Sequence, residues 1–145
     1  MNQNTKNQIK NAGKGFLLGL LVFLLDQITK YLITDTYTFG GITLTPVKNT
    51  GGALGLFQGT NTVFIIVMVL VIGLLYRIRH NLKPSWIVPV IIGAGLGNLF
   101  DRIVFGHVRD FISIMSFPIF NVADAVITCS VLIIIWREYQ NSSKS

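Results

Sequence analysis

Asp110 and Asp124 are two of only six acidic residues in a chain of 145. Asp110 sits in Gly106-His107-Val108-Arg109-Asp110-Phe111, where the glycine and the β-branched neighbours favour an extended connection over a helix. Asp124 sits in Asn121-Val122-Ala123-Asp124, at the head of a long apolar run. Such a connection would hang Asp110 close to Asp124. Two carboxyl groups held close cannot both ionise cheaply, so one keeps a proton while the other stays charged. The charged member can then take a proton from a water as it attacks a peptide carbonyl, and the protonated member can donate to the developing oxyanion or the leaving amine. This chemistry needs no metal and no covalent intermediate, and no cofactor is expected.

Other polar residues stand at suggestive spacings. In Asn98-Leu99-Phe100-Asp101-Arg102, intervals of three and four put Asn98, Asp101 and Arg102 on one helix face, and Asn121 and Asp124 repeat the Asn-x-x-Asp spacing. A plainer role competes for the acids, namely ion pairing with Arg102 and Arg109 at the membrane edge. It is strongest for Asp26, four residues before Lys30, and for Asp101, directly before Arg102. His107 near Ser113 and Ser116 suggests a nucleophile and base, but no third group orients them. With only His80 and His107, on opposite sides, and no His-Glu-x-x-His, zinc hydrolysis has little support. Gly93-x-Gly95-x-Gly97 resembles a phosphate loop only superficially; in an apolar helix it lets a neighbouring helix approach closely.

The elements that must position these residues are membrane spans. The chain is 51% hydrophobic and 12% charged, against about 25% charged in an average soluble domain. Apolar blocks cover about 16–33, 62–78, 86–104 and 117–136. In lipid every backbone amide needs an internal partner, and these blocks lack the alternation of a barrel strand, so they read as four helices in one integral membrane domain over 1–145. Lys6, Lys10, Lys14, Arg77, Arg79, Lys83, Arg137 and Lys144 fall at one set of helix ends, and Lys30, Lys48, Arg102 and Arg109 at the other. Eight against four puts both termini in the cytoplasm and the acids at the outer face. The basic start followed by Phe16–Leu25 also resembles a secretory signal peptide, but Asp26-Gln27-Ile28-Thr29-Lys30 follows where a small-x-small cleavage site would stand, so an uncleaved first helix is expected.

The outer loop, about 34–61, contains the β-prone stretch Tyr37–Leu44 and is expected to form a small sheet on the membrane surface. A connection this long in so small a protein usually covers a site or grips a partner, although a plain tether remains open. The net charge of +6 does not point to nucleic acid, because the bases form no face that could track phosphates. Cys129 has no second thiol to pair with. Three functions therefore compete: a protease, a proton-linked transporter or channel subunit using the acids as a relay, and a scaffold gripping a partner through the outer loop. Against the relay, the acids cluster at one end of the helices.

Asp26-Gln27-Ile28-Thr29-Lys30, Asn49-Thr50-Gly51-Gly52-Ala53-Leu54-Gly55, Gly97-Asn98-Leu99-Phe100-Asp101-Arg102, Val108-Arg109-Asp110-Phe111 and Phe120-Asn121-Val122-Ala123-Asp124 together resemble the motif series of signal peptidase II, the lipoprotein signal peptidase family. The series covers nearly the whole chain. It implies a multi-pass enzyme of the bacterial cytoplasmic membrane that removes the signal peptide from prolipoproteins, cutting before a cysteine that carries diacylglycerol. By that resemblance Asp110 and Asp124 are the catalytic pair. Asn49 and Arg102 hold substrate or the inhibitor globomycin, while Asp26, Asn98, Asp101 and Asn121 order the site. The loop with Asn49 becomes part of a surface sheet and a short helix closing over substrate. The expected partners are lipidated prolipoproteins, membrane lipid and globomycin-type inhibitors, with the enzyme acting as a monomer. Two departures stand out: Gly51-Gly52-Ala53-Leu54 replaces the family's frequent Gly-Ala-Ala-Phe, and the interval from Asp110 to Asp124 is short.

Overall fold

The computed structural model describes residues 3–51, 60–79, 82 and 84–143, with side chains from residue 13 onward. The short helix expected in the outer loop, the motif residues Gly52, Ala53, Leu54 and Gly55, and His80, Lys83 and Lys144 lie outside the described residues, as do the side chains of Lys6 and Lys10.

In chain order the elements are α1 (Gln3–Leu32), β1 (Tyr37–Phe39), β2 (Ile42–Asn49), α2 (Asn61–Ile78), α3 (Ile87–Phe105), β3 (Val108–Ile114) and α4 (Val122–Ser142). The chain is thus mainly helical with one small sheet. Among the described residues three helices are long and apolar enough to cross a membrane: α1 over Gly13–Leu32, α2 over its whole length and α3 over its whole length. The fourth apolar block enters its helix later than its composition suggests, at Val122 instead of 117. Pro118 favours an extended residue before it, and Phe120 forms a β-bridge with Ile112, so the chain is held extended until Asn121 caps the helix. After Trp136 α4 turns polar, ending in Arg137-Glu138-Tyr139-Gln140-Asn141-Ser142.

The apolar surface faces outward. No residue of α2 is buried, and large side chains such as Leu70, Leu132 and Trp136 are more than half exposed. A soluble monomer rarely shows a contiguous apolar patch of more than a few hundred Å², so lipid is the medium this surface fits. Burial concentrates on α3, which packs against the other three helices and against β3.

Small residues make that packing possible. A Cβ at Gly93 of α3 would collide with the backbone of Gly19 on α1, one at Gly97 would lie 2.5 Å from the Asp26 carboxylate, and one at Gly95 would touch Ile72 of α2 at 3.6 Å. The glycine run is therefore a contact stripe, and it brings α1 close enough for Asp26 to reach α3 and α4.

The outer end is a three-stranded antiparallel sheet in the order β1-β2-β3. The hairpin pairs Tyr37 with Leu44 and Phe39 with Ile42, as the β-prone run predicts. Between β2 and β3 the register shifts between Leu44 and Val47, so that Val47 pairs with Asp110 and Asn49 with Val108. Pro46, which has no N–H to give a ladder, falls inside this bulge. The connection that supplies β3 begins at Gly106, whose φ of 76° ends α3 in a left-handed cap that a β-carbon would strain, and its amide donates to the Arg102 carbonyl.

Gly93→Ala should lower the thermal stability of the solubilised protein by about 1–3 kcal/mol, through the forced separation of α1 and α3. Gly73→Ala on α2, where a Cβ meets nothing within 4 Å, should leave stability unchanged or raise it by about 0.5–1 kcal/mol. Thermal melts of the two variants, side by side, check the contrast.

Candidate active site

The floor of the site is a buried set of four charges. Lys30 Nζ lies 2.7 Å from Asp26 Oδ2 and 3.2 Å from Asp101 Oδ2, and all three side chains are shielded from solvent. Arg109 completes the set, donating from Nη2 to Asp101 Oδ1 at 2.7 Å and from its backbone N–H to Asp101 Oδ2 at 2.9 Å. Gln27 stitches across it, accepting from Arg109 Nη2 at 2.7 Å and donating to the Gly97 carbonyl at 3.1 Å. Asp26 Oδ1 accepts the backbone N–H of Ala123 at 3.0 Å, which ties α1 to the first turn of α4. Two acids and two bases leave the set neutral, and every buried charge has a partner.

The ion pairing expected of Asp26 with Lys30 is present. That of Asp101 with Arg102 is not, because neighbouring helix residues point about 100° apart. Asp101 faces α1 and β3, while Arg102 turns toward the loop and α2. Its Nη2 donates to the Gly51 carbonyl at 2.6 Å and its Nη1 to Asn61 Oδ1 at 3.2 Å, with the guanidinium over the Phe64 ring. Asn98, Asp101 and Arg102 all lie on the buried side of α3, where Asn98 and Asp101 meet at Lys30 and Asn98 and Arg102 line one cavity. Lys30, counted among the charges of the outer helix ends, is buried inside the helix assembly.

Above this floor stand the two candidate acids. Along β3 the side chains alternate, so Arg109 points into the ion set and Asp110 to the opposite face. There Asp110 Oδ2 accepts from Asn49 Nδ2 at 2.8 Å, a diagonal contact across β2 and β3 that the bulged register permits, and Oδ1 accepts from Asn121 Nδ2 at 2.7 Å. Asp124 Oδ1 accepts from Asn98 Nδ2 at 2.8 Å and Oδ2 from the Asn121 backbone N–H at 3.2 Å. Asn121 Oδ1 takes the Asp124 N–H in return at 3.0 Å, so Asn121 and Asp124 form the capping box that starts α4. Asn121 thus binds both acids at once, and Asn121 Nδ2 also donates to Asn98 Oδ1 at 3.0 Å.

Both carboxyls open into a cavity of about 740 Å³, together with Asn49, Asn98, Arg102 and Thr128 and with apolar walls from Met68 and Ile127. Burial pushes the Asp110 carboxyl above its ordinary value, and the amide donors from Asn49 and Asn121 oppose that rise. Asp35 stands apart, exposed, accepting from the Thr34 hydroxyl. His107 packs beside Phe105. The sequence reading assigned no role in the site to Gln27, Lys30, Arg109 or Asn61. For the first two the signal was there: three polar residues at positions i, i+1 and i+4 of an apolar helix. Asn61 carried none.

The family described as Signal peptidase (SPase) II matches residues 18–140. A protein of Caldicellulosiruptor bescii named lipoprotein signal peptidase is 39% identical over 129 residues, covering 82% of this chain and 86% of its own length. One of the same name from Staphylococcus aureus is 34% identical over 140 residues, covering 85% and 86%. Two solved structures, both described as bacterial membrane enzymes studied by the in meso method, superpose with TM-scores of 0.82 and 0.74. They are 28% and 29% identical, covering 92% and 86% of this chain and 92% of each of theirs.

Asp101→Leu should leave Lys30 short of one partner and Arg109 of its main one, at a cost of about 3–5 kcal/mol. Asp35→Asn, on the exposed surface, should stay within about 0.5 kcal/mol of the parent. Thermal or denaturant unfolding in one detergent measures both.

Proposed function

The chain belongs to the signal peptidase II family and is a protease, and on that premise we propose that it removes the signal peptide of diacylglyceryl-modified prolipoproteins, using Asp110 and Asp124 as its catalytic pair. The observation that carries the reading is the double grip of Asn121, whose side chain binds Asp110 and whose backbone N–H binds Asp124, beside one shared cavity.

In this mechanism a water lies between the two carboxyls, which hold one proton between them. The ionised member takes a proton from the water as its oxygen bonds to the scissile carbonyl carbon, and the carbonyl oxygen takes the proton of the other member. The tetrahedral diol collapses as the C–N bond breaks: the amine leaves with the proton first taken from water, and one diol hydroxyl returns its proton to the acid that had donated, so the pair again holds one proton. The roles of the two acids before substrate arrives belong to the pair and not to either residue. Asn49 and Arg102 are the substrate-contacting residues in this reading. Among the described residues Arg102 gives two of a guanidinium's five N–H groups, to Gly51 and Asn61.

Four spans with both termini cytoplasmic suit this chemistry. The outward-facing Leu132, Ile135 and Trp136 support α4 as the fourth span. Of the four bases assigned to the outer side, Lys30 and Arg109 are consumed by the ion set and Arg102 by the loop, which leaves Lys48 exposed. The charge asymmetry is therefore sharper than the count suggests. The site then stands at the outer face of the cytoplasmic membrane, where a lipidated cysteine and an apolar signal helix arrive from within the bilayer. Little free energy separates lipid from an apolar protein wall, so selectivity for the lipid rests on shape and headgroup contacts.

Asp110→Asn and Asp124→Asn should each abolish cleavage of a lipidated precursor, followed by the mass shift of the product, while both variants still insert and fold. Near-normal cutting by either would remove it from the pair. Asn49→Ala should move the carboxyl limb of the kcat/KM profile to higher pH. Burial raises the Asp110 carboxyl and the Asn49 amide opposes this by favouring the ionised form, so losing the donor lets it rise further. A pH–rate series on parent and variant decides the sign.

A further inference from the structure

The geometry points to Lys30 as a positioning residue that acts on Asp124 through the Asn98 side chain, beyond its pairing with Asp26 and Asp101. The inference rests on the proposed role of Asp124 in the acid pair.

The Asn98 amide is held between unlike neighbours. On one side stand two donors, Lys30 Nζ at 2.9 Å and Asn121 Nδ2 at 3.0 Å; on the other stands Asp124 Oδ1 at 2.8 Å. An ammonium has three N–H groups and no acceptor, so Asn98 Oδ1 must face Lys30 and Asn98 Nδ2 must face Asp124. A reversed amide would set N–H against N–H on one side and oxygen against oxygen on the other. Lys30 has no freedom to withdraw, since its side chain is shielded from solvent between Asp26 and Asp101.

A cation at the oxygen end of an amide also polarises it, which strengthens the hydrogen bond given by its nitrogen. Lys30 therefore sets both the direction and the strength of the donor on Asp124, without touching the cavity. The other charges facing Asp124 are Asp110 from β3 and Arg102 from α3, with Asp26, Asp101 and Arg109 behind Lys30. The only charge on α2, Arg77, stands in its last turn.

Lys30→Met alone would strand two buried acids, so the test uses Asp26→Asn/Lys30→Met, which removes one charge of each sign and leaves Asp101 paired with Arg109. The reference is Asp26→Asn, whose side-chain oxygen still can accept the Ala123 N–H. Both are compared in lipid nanodiscs by melting temperature, by kcat and KM on a lipidated precursor peptide, and by infrared titration of the carboxyl C=O band, which requires no turnover.

Relative to the reference, the double variant should lose about ten- to a hundredfold in kcat, the size expected for one hydrogen bond to a charged group, with KM within about twofold. The carboxyl limb should rise by about one pH unit in both the kinetic and the infrared series, because a donor and a cation that favoured ionisation are gone. Asp26→Asn/Lys30→Gln, which keeps an N–H donor but no charge at position 30, serves as the second variant and should move the infrared limb part of the way. Limbs unmoved in both variants would mean that Lys30 only neutralises its two acids, and a fall in kcat with an unmoved limb would also overturn the relay. If Asp124→Asn cuts normally, the acid-pair reading fails, and the infrared series still decides the coupling of Lys30 to the carboxyls.

Discussion

The buried alternation of charge through Asp26, Lys30, Asp101 and Arg109 is the constraint on which the remaining structure depends. It joins α1, α3 and β3 through side chains, and Asp26 extends it to the backbone of α4. An isolated charge in so dry a place would cost several kcal/mol, and four in alternation satisfy one another at fixed positions. Hydrophobic contact alone would not hold these helices in register, because lipid tails are as apolar as the side chains they would replace. The polar set supplies the directionality that lipid-facing leucines lack. The glycines of α3 let the helices come near enough to use it.

On that floor the candidate site is assembled from amides. Asn49, Asn98 and Asn121 each present a nitrogen to a carboxyl oxygen, and none brings a charge of its own. A neutral amide donor favours the ionised carboxyl only modestly, whereas an arginine in the same place would hold it charged. The acid pair of the proposed mechanism, which passes a proton back and forth, is better served by neutral donors. Among the strong bases, Arg102 and Lys48 line the cavity, with the Arg102 guanidinium turned to Gly51 and Asn61, while Arg109 faces the far side of β3 and Lys30 stands behind Asn98.

Much of the architecture was legible in the sequence, since apolar block lengths mark the helices and the Thr- and aromatic-rich run Tyr37–Leu44 marks the hairpin. Less legible were features set by tertiary contact. The start of α4 moved to Val122 because Phe120 is captured by Ile112. The same Asn-x-x-Asp spacing has two meanings. At Asn121–Asp124 it is a helix cap, while at Asn98–Asp101, within a helix, both members meet Lys30 and only Asn98 reaches on to Asp124. Counting charges by position also set Lys30 among the charges of the outer helix ends, because burial cannot be read from a residue's rank along the chain.

The Asp26–Lys30 pair has a bearing on how the protein is made. Both residues lie on α1, one helical turn apart, and Asn98 and Asp101 of α3, which meet Lys30, are translated some seventy residues later. A nascent first helix would otherwise carry two naked charges into the bilayer with nothing yet synthesised to meet them. Bonded to each other, they let it cross as an electrically balanced rod. The later helix then docks onto a dipole already waiting in the membrane, so the order of synthesis and the order of assembly agree.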